Sequence, residues 1–353
     1  MKNPRLRRSV SVLFPGRHAA RTLGVAVEQE LLTRDAVDGS VVPIERVRRA
    51  ITGSPYERWT GFEPGGQVEL SLPCFSSVPD LAGNWWATIR GLRDDCARAG
   101  VLLDAEPVDP RSPHEVSLQL SSARYAGMQR HFDRIGPAGR RMMRQTASTQ
   151  VCLDWWPGVA GREQWQLALL AAPFLAATFA RTSGPDSRLA TWLALDPSRT
   201  AYDDRLVRSD DPVAAYADFA AGAYVFAMPD RDEPDEPTTF RDWDRTRAVG
   251  AAGVAHHLST LFPPVRPRGR YLELRFLDVQ PDELVVPVVA VLSRLLHDDD
   301  VRRDALRMVK HEAPRLAELW RQSAVEPEEL SNRGDALVRL AGGHGTSALV
   351  GAA

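Results

Sequence analysis

Four short segments carry acidic residues in a pattern that could do chemistry. Successive side chains on a strand face opposite sides. Over 25–31 (VAVEQEL), Glu28 and Glu30 therefore share one face, with Val27 behind. Over 67–72 (QVELSL), Gln67, Glu69 and Ser71 share a face. Over 148–154 (STQVCLD), Gln150, Cys152 and Asp154 do the same. Over 270–277 (RYLELRFL), Tyr271, Glu273 and Arg275 stand opposite Leu272, Leu274 and Phe276. One such strand means little, because any antiparallel sheet with one wet face alternates this way. Four such strands mean more: three of the faces carry Glu and the fourth Gln150 and Asp154, and like charges on neighbouring strands repel unless cations lie among them. Carboxylate oxygens with amide support suit Mg²⁺, a hard cation that also keeps water and phosphate ligands. Arg275, close to Glu273, adds a planar fork that grips phosphoryl or carboxylate oxygens in pairs.

The rest of the composition removes alternatives. The chain has 353 residues and a formal net charge of -2. That lacks the basic excess needed to displace counterions from nucleic acid. Its only lysines are Lys2 and Lys310; the other cations are arginines. A phosphate-binding loop ending GK[ST] is absent, and a lysine Schiff base has only two possible positions. The three cysteines, Cys74, Cys96 and Cys152, lie far apart without metal spacing and read as reduced thiols of a cytoplasmic protein. The most apolar run, 167–180, contains Pro173 and falls short of the roughly 20 residues that span a bilayer. It reads as a buried helix, with no membrane partner.

Elements to position these faces follow from periodicity and punctuation. Strands are expected at 21–31, 67–72, 115–120, 148–153 and 270–277. Helices are expected at 41–52, 84–100, 124–135, 163–180, 213–228, 248–261, 284–325 and 327–340. The segment 230–237 (DRDEPDEP) reads as an acidic loop, and 342–353 as a frayed tail. HDDD at 297–300 reads as a helix cap rather than a metal cluster. The adjacent His256 and His257 cannot both face one metal from a helix. Without a βαβ cadence the class is α+β, in one catalytic domain over 1–353.

Several motifs together resemble the carboxylate–amine ligases of the glutamate–cysteine ligase type, and among them the actinobacterial branch that opens ergothioneine synthesis. They are GVAVEQEL (24–31), EPGGQVELS (63–71), the stretch 123–154 ending TASTQVCLD, HHLSTLFPPVRPRGRYLELRFLD (256–278) and WLALDPSRTAYD (192–203). The blocks follow the family order across 21–280. The resemblance implies a curved, mostly antiparallel sheet, a glutamine-synthetase-like funnel, with helices packed outside. It implies ATP and Mg²⁺ as cofactors, L-glutamate and L-cysteine as substrates, and γ-glutamylcysteine as product. By motif position it implies that Glu28, Glu30, Glu69 and Glu273 hold metal. Arg275 and Glu273 would act at the transferring phosphoryl group. Gln150 would face metal or substrate. Arg199 and Tyr202 would bind the amino-acid substrate, with Arg144 and Met143 lining its pocket. Acyl-phosphate chemistry is mainly positioning and charge neutralisation, so the missing lysine loop fits. Segments 202–211 and 230–237 are candidate lids.

The sequence also departs from the family pattern. Segment 180–188 (ARTSGPDSR) is shortened, although Arg188 and Trp192 remain. ELSLP stands where ELSGP is commoner, and Cys152 stands where relatives often carry Asn. Two other readings follow: a ligase on the same scaffold with a different amine or acid, in a secondary-metabolite pathway, or a non-catalytic nucleotide- or metal-binding homologue.

Overall fold

The structure is a computed structural model that describes residues 4–16, 18–200, 204–228, 234 and 236–342. Seven strands form its sheet: β1 (Val25–Asp35), β2 (Thr60–Phe62), β3 (Val68–Ser71), β4 (Val101–Asp104), β5 (Ser148–Asp154), β6 (Val265–Pro267) and β7 (Tyr271–Asp278). The order is β2-β3-β1-β5-β7-β6, with β4 pairing the last part of β1. Every strand pairing among the described residues is antiparallel. The α+β class read from the sequence is the class observed.

Register brings the predicted acids together. Glu30 pairs with Glu69, and Glu28 lies between Ser71 and Gln150. Glu273 pairs with Cys152 on one side and Arg266 on the other. Between Thr149 and Val151 the β5–β7 register slips, so that Arg275 and Phe276 together oppose Gln150. Such a bulge re-aims side chains locally. Here it lies at the arginine that the sequence marks for chemistry.

The other face of the sheet is apolar because helices cover it. Helix Val78–Arg98 is capped by Ser77, whose hydroxyl accepts from the Asp80 amide at 3.2 Å. It lays Leu81, Trp85, Ile89 and Leu92 in the core, beside β1 and β4. Each such side chain contributes about 2 kcal/mol by leaving water. Helix Asp282–His297 packs on β5 and β1, and helix Gly158–Thr178 on β7. The latter is apolar nearly all round, Pro173 included, because the C-terminal helices Leu316–Val325 and Pro327–Leu340 cover its outer side. Gln29, the one polar residue on the inward face of the central β1 segment, is satisfied by the Gln280 carbonyl at 2.7 Å and the Thr149 hydroxyl at 2.6 Å. No helix of the described residues is long and apolar enough to cross a membrane.

Some elements differ from expectation. Segment 115–120 has no strand. Its backbone and side chains serve neighbours instead: the Gln119 side chain bonds Ile44, Val42 and Gly65. β2 and β6 are too short to show a period, and β4 is a further strand not among those expected. The helix expected at 124–135 ends at Asp133, and a further helix, Ala138–Gln145, which was not among those expected, starts after Pro137. At 297–300, Asp298 does cap a helix, accepting from the Asp300 and Val301 amides at 3.1 Å. The tail from 343 onward lies outside the described residues.

A second apolar cluster, Met128, Phe132, Met142, Met143, Leu195 and Phe226, surrounds a buried ion pair. Arg199 Nε donates to Asp196 at 2.7 Å, and Nη1 donates to the Thr260 carbonyl at 2.8 Å. Nη2 donates to the Tyr224 carbonyl, and the guanidinium lies over Phe226. Both partners of the pair are fully buried. Burial opposes ionisation of Asp196, yet His131, Arg199 and Ser198 hold its carboxyl well below the usual range. Removing one member of such a pair strands the other charge, at a cost of about 3–5 kcal/mol. Arg199→Met should therefore lower the free energy of unfolding measured in urea by about 3–5 kcal/mol, while Arg199→Met with Asp196→Leu should recover most of it. Unchanged stability of the single variant would show that the pair does not hold this region together.

Candidate active site

The polar face gathers a carboxylate triad. Glu30, Glu63 and Glu69 each offer an oxygen, and these oxygens lie within 4.8 Å of one another. Glu30 Oε2 accepts from the Ser148 amide at 2.7 Å and its hydroxyl at 2.9 Å; Oε1 accepts from Gln150 Nε2 at 3.3 Å. Ser71 Oγ donates to Glu69 at 2.9 Å. Burial raises the Glu30 carboxyl above the ordinary range, opposed by Arg188 and assisted by Glu69. Burial, then Glu30 and Glu69, push Glu63 well up. Glu28, one pleat along β1, is pushed up to about 7 by burial and by Glu273 and Glu69. Glu28, Glu30 and Glu63 resist ionisation because burial and nearby carboxylates outweigh the cations near them. A bound cation relieves that. Three carboxylate oxygens in one small space, with hard-ligand chemistry, fit Mg²⁺.

Glu273 is handled differently. Burial raises its carboxyl, but Arg275, Arg266 and Arg268 overcome this and hold it below the ordinary range. Arg275 donates to both Glu273 and Gln150 Oε1. Arg268 approaches Glu273 at 3.4 Å and Arg266 at 3.8 Å. Glu273 thus stands in an arginine cage rather than in the triad. Gln150 joins the two halves, donating to Glu30 and accepting from Arg275.

Glu63 escaped the sequence reading although its motif was in view. Its amide donates to the Gln67 carbonyl at 2.9 Å, closing the turn between β2 and β3. Opposite Glu69 stands Gly61. Stepping two residues from Gly61 reaches Glu63, on the same face as Glu69. The turn is tight: Gly66 has φ +94°, and a Cβ on Gly65 would lie 2.2 Å from the Arg144 carbonyl oxygen. Gln67 braces it, donating to the Thr146 carbonyl at 3.0 Å.

The residues expected at an amino-acid pocket are not brought to this cluster as a group. Arg199 is spent on the buried pair with Asp196. Arg144 is buried and donates to the Val116 carbonyl at 3.2 Å and to Gln129, while its Nε has no partner. Tyr202 lies outside the described residues, as do parts of both candidate lids, at 202–203 and at 230–233 and 235. Arg188 does come close: its Nη2 donates to the Arg275 carbonyl at 3.2 Å, and Nη1 lies 3.8 Å from Asp278. Its Nε and the Trp192 Nε1 are both buried without a partner. Both residues line a small cavity shared with Arg275, Thr200 and Phe262. Cys152 is on the polar face as expected, but burial and then Glu28 and Glu273 push its thiol well up, which keeps it from acting as a thiolate.

Comparison with known proteins gives the following. The profile of glutamate–cysteine ligase family 2 matches residues 22–326. The glutamate–cysteine ligase EgtA of Mycolicibacterium smegmatis is 36 % identical over 257 residues, 67 % of this chain and 59 % of that protein. EgtA of Mycobacterium tuberculosis is 36 % identical over 267 residues, 69 % of this chain and 60 % of that protein. The chain thus spans less than two thirds of the length of these curated relatives. A solved glutamate–cysteine ligase from Francisella tularensis in complex with AMP shares 14 % identity at a TM-score of 0.48, over 93 % of this chain and 82 % of that one.

The Glu28 geometry has a measurable consequence. Its carboxyl titrates near 4.5 when unfolded and near 7 when folded. Its contribution to stability is therefore full below 4.5 and lost as pH rises through 7. Without metal, Glu28→Gln should stabilise the protein by about 3 kcal/mol at pH 8 and by no more than about 1 kcal/mol at pH 5. Denaturant titrations in EDTA at the two pH values measure this. An equal effect at both would mean that Glu28 ionises freely in the fold.

Proposed function

The chain belongs to glutamate–cysteine ligase family 2, and from that premise we propose that it is a cytoplasmic, ATP-dependent ligase joining the γ-carboxylate of L-glutamate to the amine of L-cysteine. The observation that carries this reading is the convergence of Glu30, Glu63 and Glu69 on one small space, where burial pushes the Glu30 and Glu63 carboxyls toward the neutral form. A γ-carboxylate oxygen attacks the γ-phosphorus of ATP and ADP leaves. The amine then attacks the acyl carbon of γ-glutamyl phosphate, losing a proton as phosphate departs with the acyl oxygen.

Glu30, Glu63 and Glu69, with Glu28 beside them, would hold Mg²⁺. When bound, the ion supplies charge neutralisation for the ATP phosphates. Arg275 would meet the transferring phosphoryl group, whose negative charge needs a fixed cation in a dry site. Glu273 would hold the Arg275 fork in orientation, and Gln150 would fix it from the other side. The unpartnered donors of Arg188 and Trp192 next to Arg275 favour that cavity, rather than Arg199, as the place where a substrate carboxylate is held.

One observation favours a second reading, with a different acceptor amine. Segment 180–188 is not only short but tied down: the Arg181 amide, the Thr182 amide and the Thr182 hydroxyl donate to Asp278 at 2.8–3.0 Å. The wall next to Arg188 is therefore built differently from that of relatives with the longer loop.

Phosphate release from Mg-ATP with L-glutamate, with and without L-cysteine, tests both. Cysteine-dependent release with γ-glutamylcysteine in the mass spectrum is expected. A competing amine consumed in preference to cysteine would establish the second reading. Glu273→Gln should lower turnover about 100-fold, comparable to losing one preorganised charge contact in a site of this kind. Retained turnover would remove Glu273 from the machinery.

A further inference from the structure

The helix Pro4–Ser11 precedes the span matched by the family, which begins at residue 22, yet it is built into the fold. It buries Leu6 and Val10 and packs on the helices Pro212–Gly222 and Ala251–Ser259. Arg7 pairs with Asp211 at 2.5 Å. Just beyond the helix, Phe14 enters an aromatic cage. Its ring centroid lies 4.9 Å from that of Trp155, 5.6 Å from Trp165 and 6.2 Å from Tyr216. Trp155 and Trp165 stack on each other, and their ring N–H groups donate to the Gly161 and Leu206 carbonyls at 2.7 and 3.0 Å. The walls of the cage are therefore fixed independently of Phe14.

This anchoring reaches the turn between β6 and β7. The Leu13 carbonyl accepts from the Gly269 amide at 2.8 Å, and the Trp155 amide donates to the Arg270 carbonyl at 2.8 Å. Phe14 joins the two bonds, being next to Leu13 in the chain and against Trp155 in space. Gly269 has φ +80°, and a Cβ there would lie 3.1 Å from the Val12 carbonyl oxygen, so the chain segments meet closely. The turn carries Arg268, whose side chain reaches Glu273 at 3.4 Å and the Tyr271 hydroxyl at 3.4 Å. Arg266 has holds of its own: its Nη2 donates to the Leu258 and Ser259 carbonyls at 3.3 and 2.9 Å. Arg268 is exposed, and its place follows that of the turn.

We propose that Phe14 and the Leu13 carbonyl form a clamp, supplied from outside the family-matched span, that sets the place of Arg268 and through it the orientation of Glu273 and Arg275. Phe14 is a positioning residue, since it touches none of the reacting groups. The proposal rests on the ligase reading, which puts the transferring phosphoryl group at Arg275. If Phe14 only packed the edge of the core, its loss and the loss of Arg268 would act independently, and their effects on turnover would multiply. If it acts through Arg268, the second loss adds nothing to the first.

Two measurements on the full chain test this. Amide hydrogen exchange over 266–271 should quicken about tenfold or more in Phe14→Ala, while β1 and β3 keep wild-type rates. In steady-state turnover with Mg-ATP, L-glutamate and L-cysteine, Phe14→Ala and Arg268→Ala should each lower kcat about tenfold, with the KM for L-glutamate within about twofold of wild type. The double variant should fall no further than either single one. Phe14→Tyr, which keeps the ring, should keep the wild-type kcat. Val10→Ala, a smaller cut in the same docking, takes the place of Phe14→Ala if that variant does not fold. Unchanged exchange at the turn overturns the proposal, and so does a double variant slowed about 100-fold; both leave the ligase reading standing. A wild type that consumes no ATP with L-glutamate and any amine overturns the ligase reading and the positioning role with it.

Discussion

Repulsion among buried carboxylates is the constraint around which this structure is arranged. Glu28, Glu30, Glu63 and Glu69 crowd one end of the polar face, and three of them are displaced toward the neutral form by burial and by one another. A fold tolerates this only if the framework is held by something stronger. Here the sheet is backed by helices that bury Trp85, Trp165, Phe174 and a continuous set of aliphatic side chains. The hydrogen bonds from Ser148, Gln150 and Ser71 then hold the acids in place. The stability of the core is large enough to keep a few kcal/mol of electrostatic strain where a cation can relieve it.

Glu273 shows the opposite solution on the same sheet. It is at least as buried as Glu28, yet it is held ionised because three arginines face it. The difference comes from strand order. Glu28 and Glu30 lie on β1, between β3 and β5, which bring Glu69 and Gln150. Glu273 lies on β7, beside the edge strand β6, which brings Arg266. The bulge opposite Gln150 keeps Arg275 close to Glu273. Topology thus sorts one row of glutamates into an acidic half that attracts a cation and an arginine half that attracts an anion.

Much of this was legible in the sequence, for a definite reason. Strict alternation in β1, β3, β5 and β7 places Glu28, Glu30, Glu69, Gln150, Glu273 and Arg275 on one face, and the period of a strand depends on no tertiary information. Glu63 was hidden because its place depends on how a Pro-Gly-Gly turn pairs with Gln67, which alternation along one strand does not state. The three-residue strands β2 and β6 are too short for any period to show. Arg199 was misleading in another way. A motif places an arginine near a pocket, but only the fold shows that Asp196, Thr260 and Tyr224 already engage its donors. Motif position and free hydrogen-bonding capacity are separate properties, and only the second decides whether a side chain can bind a ligand.

Gln150 shows why the two halves work as one site. Its Nε2 donates to Glu30 and its Oε1 accepts from Arg275, which is the only orientation of the amide that satisfies both. A carboxylate in its place would repel Glu30, and an ammonium would repel Arg275. A neutral side chain with a donor at one end and an acceptor at the other is the simplest group that can sit between an acidic half and an arginine half without favouring either. Moving Arg275 moves Gln150, and moving Gln150 changes what holds Glu30. Glu30 and Arg275 are therefore linked through one amide, which puts the acidic half and the arginine half in direct hydrogen-bonded contact.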